Sequence, residues 1–215
     1  MTKIGVFDSG IGGKSVANAL QKALPCDEIL FVDDSPHMPY GTKSSEDVFK
    51  LVCPKIEELI AQKCNPIVIA CNTVTTTLIS EIREKYTDVD FVGIEPMVKP
   101  AALLSTTGTI AVCATPATLG STRYQWLKNE FAKNVKVLEP DCSRWASMIE
   151  SNSVDRESVI STVNELCDAS ADVIVLGCTH YHWIEDLIES TAGKRAHILQ
   201  PEPAIVARVK DLIAS

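Results

Sequence analysis

Two of the eight cysteines in this chain lie where a thiol can move protons. The eight are Cys26, Cys53, Cys64, Cys71, Cys113, Cys142, Cys167 and Cys178. Most read as small core residues, the usual place of a free cysteine. Cys71 and Cys178 differ in context. Residues 66–73 read PIVIACNT and residues 172–179 read DVIVLGCT. Each is a buried strand ending in a small residue, then the cysteine, then polar residues that open a helix. In an open α/β sheet, ligands bind outside the carboxyl ends of the strands. A thiol at a helix start also faces the positive end of the peptide dipoles, which lowers its pKa from about 8.5 into the range of roughly 3.5–7.5. Either cysteine alone reads as a buried strand-end residue, but two in matching contexts, each close to a threonine, read as reactive thiols.

Other residues offer binding or proton transfer. Asp8, Ser9 and the glycines of DSGIGG (8–13) end the first strand, and such a turn offers backbone N–H groups at a helix N-terminus, an anion or zwitterion site. GIGGKS comes close to a phosphate loop, but the first glycine of that pattern would fall on Asp8, and an acid there repels phosphate. The dinucleotide fingerprint fails as well, because position 15 is Ser. Pro39, Tyr40 and Gly41 follow the second strand: Pro fixes a turn, Gly lets backbone approach a ligand, and Tyr supplies a wall and a hydroxyl. Thr73, Thr75, Thr76 and Thr77 crowd a helix start, where capping accounts for most of them. His180 and His182 follow Cys178 in CTHYH. A metal site built from Cys178, a histidine and Cys71 matches no common zinc spacing, and a histidine two residues from a reactive cysteine reads better as an acid–base neighbour. Glu150 is not singled out by pattern.

The elements that must hold these residues are legible as alternation. Short β-branched runs at 3–7, 29–33, 67–70, 91–94, 109–113, 135–138, 173–176 and 196–199 alternate with amphipathic stretches such as 44–62, 74–85, 122–133, 156–169 and 183–191. This pattern predicts an α/β fold with mainly parallel strands and helices on both sheet faces. Prolines interrupt it in GIEPMVKP (93–100) and QPEP (200–203). That gives a discontinuous first domain, 1–95 plus 200–215, around a second, 96–199.

Bulk properties narrow the partners. The chain has 215 residues, 46% hydrophobic and 22% charged, with a formal net charge of −8 and basic residues mixed among acids. A nucleic-acid partner is therefore not expected, and an anionic ligand must be held by local donors rather than by long-range attraction. No apolar run approaches the roughly 20 residues of a membrane span, so no membrane partner is expected. Without signal-peptide anatomy at the start, and with cysteines read as free thiols, the expectation is a cytoplasmic protein.

The segments IGVFDSGIGG (4–13), MPYGTKS (38–44), VIACNTVTT (68–76), GIEPMVKPA (93–101) and VIVLGCTHY (173–181) resemble the aspartate/glutamate racemases, and GCTH favours the glutamate branch. The resemblance runs in order from Ile4 to Tyr181. It implies two pseudo-symmetric α/β domains with the active site in the cleft between them, and no cofactor. By position, Cys71 and Cys178 become the two acid–base residues, with Asp8, His180 and Glu150 assisting. The substrate contacts become Asp8, Ser9, Pro39, Tyr40, Gly41, Asn72, Thr73, Thr179 and His180. Homodimers occur in the family. Family members are typically longer, and SPHM (35–38) and TPAT (115–118) depart from the family pattern.

The chemistry implied is removal of the α-proton from one face of glutamate and delivery of a proton to the other, which two flanking residues do without moving. No lysine adjoins either cysteine motif, which disfavours a Schiff base. The carbanion must then be stabilised by donors to the carboxylate and by desolvation. An ionised Asp8 near Cys71 would raise that thiol's pKa, so Asp8 either binds the substrate ammonium or accepts the Cys71 proton. The competing expectations are an aspartate or other acidic amino-acid racemase, and an amino-acid-binding α/β protein with inert cysteines.

Overall fold

A computed structural model describes residues 2–214. The chain divides into two compact units, residues 1–95 with 201–215, and residues 96–200. Gln200 falls in the second unit, where its amide donates to Glu185 and its carbonyl oxygen accepts from His182.

The first unit runs β1 (Lys3–Asp8), α1 (Lys14–Ala23), β2 (Glu28–Asp33), α2 (Ser45–Ala61), β3 (Ile67–Ile69), α3 (Asn72–Lys85) and β4 (Phe91–Gly93). Its four strands are ordered β2-β1-β3-β4, and every pairing is parallel. Period-two alternation decides which helix covers which face. Ile4 and Val6 join Val68 and Val92 in a cluster with Val16 and Leu20 of α1. Phe7, Ile67 and Ile69 turn the other way, onto Val52 and Ile56 of α2 and Val74, Leu78 and Ile82 of α3. A last helix, α10 (Glu202–Ile213), returns the chain to this unit and adds Ile205 and Val209 to the α1 side.

The second unit repeats the plan. After α4 (Val98–Leu104) come β5 (Thr109–Ala114), α5 (Pro116–Gly120), α6 (Thr122–Phe131), β6 (Lys136–Leu138), α7 (Trp145–Glu150), α8 (Arg156–Asp168), β7 (Val173–Gly177), α9 (Glu185–Ala192) and β8 (His197–Leu199). The sheet order is β6-β5-β7-β8, again parallel throughout. Ile110, Val112, Ala114, Val173 and Val175 pack against Val98 and Ala101 of α4 and Tyr124 and Leu127 of α6. The eight strands and the parallel α/β class agree with the alternation in the sequence. The amphipathic stretch read at 183–191 is shifted: residues Thr179–Ile184 form a 3-10 helix, and α9 begins only at Glu185.

The two sheet orders superimpose as a repeat, with β1, β2, β3 and β4 answering to β5, β6, β7 and β8. Phe7 pairs in register with Ile69, and Cys113 with Leu176. Counting on from those pairs, Cys71 and Cys178 occupy the same position, each two residues past the pair, and Asp8 answers to Ala114.

Candidate active site

The first unit gathers its candidate residues at the carboxyl end of β1 and β3. Cys71 is the N-cap residue of α3, and its Sγ lies 3.4 Å from the Ser9 Oγ. Asp8, the last residue of β1, is fully buried. One of its carboxylate oxygens accepts from the Ser9 N–H at 2.5 Å and from the Ser9 hydroxyl at 3.2 Å. Of the backbone N–H groups in this turn, that of Ser9 is therefore engaged by Asp8. Gly13 explains the tight turn. A Cβ there would lie 2.5 Å from the Asp8 Cβ and 3.0 Å from the Phe31 ring, so only glycine lets the chain fold back on the acid.

Cys71 departs from the thiolate expectation. Burial pushes its pKa up to about 12, and the Asp8 carboxylate pushes the same way. The Ser9 hydroxyl and the backbone N–H groups of Ser9 and Val74 pull it down, but do not compensate. Desolvation and a like charge thus outweigh the helix N-terminus. Burial and Asp8 favour the thiol form of Cys71 at neutral pH.

Asn72 and Thr73 open α3 and are buried. Both polar atoms of the Asn72 side chain lack a hydrogen-bond partner although the residue is only 3% exposed. Leaving such an amide dry and unpaired costs about 1–3 kcal/mol, so an unpaired amide beside Cys71 points to a ligand that completes it. The remaining threonines are structural. Thr76 and Thr77 hydrogen-bond back to the carbonyls of Asn72 and Thr73, and Thr75 bridges the Ile69 carbonyl and the Ile94 N–H.

The Pro39–Tyr40–Gly41 loop is built differently from its sequence reading. Tyr40 is buried in the cluster that contains Cys71, but its hydroxyl donates to Asp34 at 2.7 Å. The tyrosine is a wall whose proton is already used. Asp34, also buried, takes His37 at 2.8 Å and has Lys55 at 3.9 Å. Sequence reading missed Asp34, because its partners become visible only when the loop is closed.

The second unit carries a different set around Cys178. The Cys178 Sγ lies 3.9 Å from the His180 Nδ1, and the His180 Nε2 is 2.7 Å from the Glu150 carboxylate. This is a thiol–imidazole–carboxylate relay, buried except for part of Glu150. The helix that opens after Cys178 is a 3-10 helix over Thr179–Ile184, with α9 following it. Thr179, which opens it, is buried. Where the first unit has Asp8 and Ser9, the second has Ala114 and Thr115, so its acid comes instead from α7. Thr115 caps α5, its hydroxyl donating to Thr118 at 3.0 Å. Thr118 is buried and Thr115 half-buried; sequence reading noted TPAT only as a departure from the family pattern, and aligning β1 with β5 is what sets Thr115 opposite Ser9.

The chain is similar to known racemases. A family model described as Asp/Glu/hydantoin racemase matches residues 13–209. The glutamate racemase of Ectopseudomonas mendocina (strain ymp) is 36% identical over 214 residues, 98% of this chain and 81% of that protein. Among solved structures, Escherichia coli glutamate racemase in complex with L-glutamate and the activator UDP-MurNAc-ala has a TM-score of 0.89 at 26% identity, covering 99% of this chain and 82% of that one. Francisella tularensis glutamate racemase in complex with D-glutamate has a TM-score of 0.81 at 29% identity, covering 99% and 81%.

Proposed function

The chain belongs to the aspartate/glutamate/hydantoin racemase family and is an amino-acid racemase; from that premise we propose that it interconverts L- and D-glutamate by proton transfer between two cysteines. The observation that carries the reading is the equivalence of Cys71 and Cys178, one at the same strand end in each of two identically ordered sheets. The unpaired Asn72 amide supports a polar ligand beside Cys71.

In one direction Cys178, as thiolate, takes the α-proton and Cys71, as thiol, delivers its own to the opposite face. The reverse direction exchanges the roles. His180 holds or returns the Cys178 proton, and Glu150 orients the imidazole. On the other side the high pKa of Cys71 suits the acid role at rest. When the substrate ammonium comes beside Asp8, its charge offsets the carboxylate that raises the thiol, which readies Cys71 for the base role. Asn72, Thr73 and Thr179 donate to the substrate carboxylates, Ser9 lines the site between Asp8 and Cys71, and Pro39, Tyr40 and Gly41 form a wall. No cofactor is required by this scheme.

D-Glutamate so formed would supply bacterial peptidoglycan. No helix among the described residues is long and apolar enough to cross a membrane, and the proposed location is the cytoplasm. A homodimer is the proposed assembly; exposed Leu103, Leu104 and Trp126 support a self-association face, and sedimentation velocity tests it.

The test of function is L-glutamate in D₂O with reduced protein, following optical rotation and the α-proton signal. Loss of both, with deuterium at the α-carbon, is expected, and Cys71→Ser and Cys178→Ser should each slow it by about 10³-fold. Exchange with aspartate but not glutamate would move the specificity. Binding without exchange would replace the racemase with an amino-acid-binding protein.

A further inference from the structure

The second sheet carries a group of buried thiols on the face away from α4 and α6. Ile110, Val112 and Ala114 of β5 face those helices, so Ala111 and Cys113 face the other way. Cys113 is in register with Leu176 of β7. Cys178 lies two residues beyond Leu176 on extended backbone (φ −151°, ψ 132°), so it projects from the same face. Cys142, in the coil between β6 and α7, reaches this face too. Its thiol is hydrogen-bonded to Cys113, and its carbonyl accepts from the Tyr181 hydroxyl at 2.9 Å. The Tyr181 N–H donates in turn to the Cys178 carbonyl at 3.0 Å. Exposure rises from 0% at Cys113 and 1% at Cys142 to 7% at Cys178. In the first unit the position answering to Cys113 is Phe7, which packs in the cluster with Cys71.

We propose that Cys178 is a peroxide-sensitive site and that Cys142 is its resolving thiol. Cys178 gives its proton to His180, 3.9 Å away, and the thiolate attacks hydrogen peroxide. An S–O bond forms, the O–O bond breaks, and hydroxide leaves and is protonated to water, so sulfur loses two electrons and peroxide gains them. Cys142 then attacks the sulfenic sulfur. The S–S bond forms, the S–O bond breaks, and water carries off the hydroxyl and the Cys142 proton.

Cys142 is favoured over Cys113 by its backbone. Cys178 lies one residue past β7 and two past Leu176, the register partner of Cys113, which places the two about 8 Å apart, beyond the roughly 7 Å that a disulfide spans, and the β5–β7 ladder holds Cys113 in place. Cys142 lies in coil, where a shift toward Cys178 breaks no ladder. The disulfide removes one of the two proposed bases and is reversed by a thiol reductant, while over-oxidation to the sulfinic acid is not. Cys71, backed by phenylalanine, is left without such protection.

The inference rests on reading Cys178 as a reactive thiol, and its test reads mass as well as turnover. Reduced full-length protein is treated with near-stoichiometric hydrogen peroxide, alkylated and digested. The expected product is a chain lighter by two hydrogens, with a peptide joining Cys142 to Cys178 and turnover restored by dithiothreitol. In Cys142→Ser, Cys178 should pass to the sulfinic acid, and recoverable turnover should fall about tenfold or more. A Cys113–Cys142 link with Cys178 still alkylated overturns the proposal. So does over-oxidation of Cys178 as fast in the native protein as in the variant. If Cys142→Ser does not fold, Cys142→Ala serves, and the map of the native protein decides by itself. Failure of the racemase reading would appear separately, as no turnover in untreated protein.

Discussion

Opposing forces act on the Cys71 thiol. The start of α3 and the Ser9 hydroxyl favour its thiolate, while burial and Asp8 favour the thiol and prevail. Asp8→Asn removes one of the two raising forces. Alkylation of Cys71 by iodoacetamide, followed on its peptide as a function of pH, should then reach half-maximal rate at lower pH than in the native protein. An unmoved midpoint would mean that burial alone sets the proton affinity. Glu150 makes a different prediction. Glu150→Gln leaves His180 with a neutral partner and should lower kcat/KM about 10²-fold. Because the enantiomers are equal in free energy, the loss must be the same in both directions, although kcat and KM need not change equally. Unequal losses in kcat/KM would show that a second reaction was being measured.

At the scale of elements, the turn after β1 sets the position of the acid. Gly13 lies so close to Asp8 that any side chain displaces it. Gly13→Ala should cost about 1–3 kcal/mol of stability through overpacking, read from the urea midpoint, together with turnover. A variant of native stability and native turnover would mean that the turn relaxes freely. Much of the fold at this scale was legible in advance. Runs such as 3–7 and 109–113 are apolar almost throughout, as parallel strands covered on both faces must be, and such runs are local chemistry. The stretch read at 183–191 starts two residues early, because Trp183 and Ile184 close a 3-10 helix in which Tyr181 packs on Trp145 and donates to the Cys142 carbonyl.

For the whole molecule, titration should limit stability at both ends of the pH scale. Cys71 has a folded pKa raised above its unfolded value, so its contribution is intact below about 8.5 and is lost as pH rises toward about 12. Burial raises Tyr40 and Tyr124 in the same direction. The thermal midpoint should fall across this window, and less steeply in Cys71→Ser. On the acid side, Asp172 is held well below the usual carboxylate range, against its partial burial, by Ser105, by the hydroxyl and backbone N–H of Thr106 and by the backbone N–H of Thr107. Its contribution is intact above about 4 and is lost as pH falls below that value. Asp172→Asn should flatten the acid limb of the stability curve; an identical acid limb would assign the loss to other carboxylates.

The sequence by itself determined the α/β class, the eight strands, the two strand-end cysteines and the family resemblance, because apolar runs and turn chemistry are carried by consecutive residues. Only the tertiary structure decided what surrounds those cysteines. Ser9 meets Cys71 from 62 residues away, and Glu150 meets His180 from 30. Asp34 accepts the Tyr40 hydroxyl's hydrogen bond across a closed loop, and Cys142 reaches Cys113 from coil. A thiol's proton affinity depends on burial and on charges brought close by folding, and neither is a property of the residues beside it in the chain.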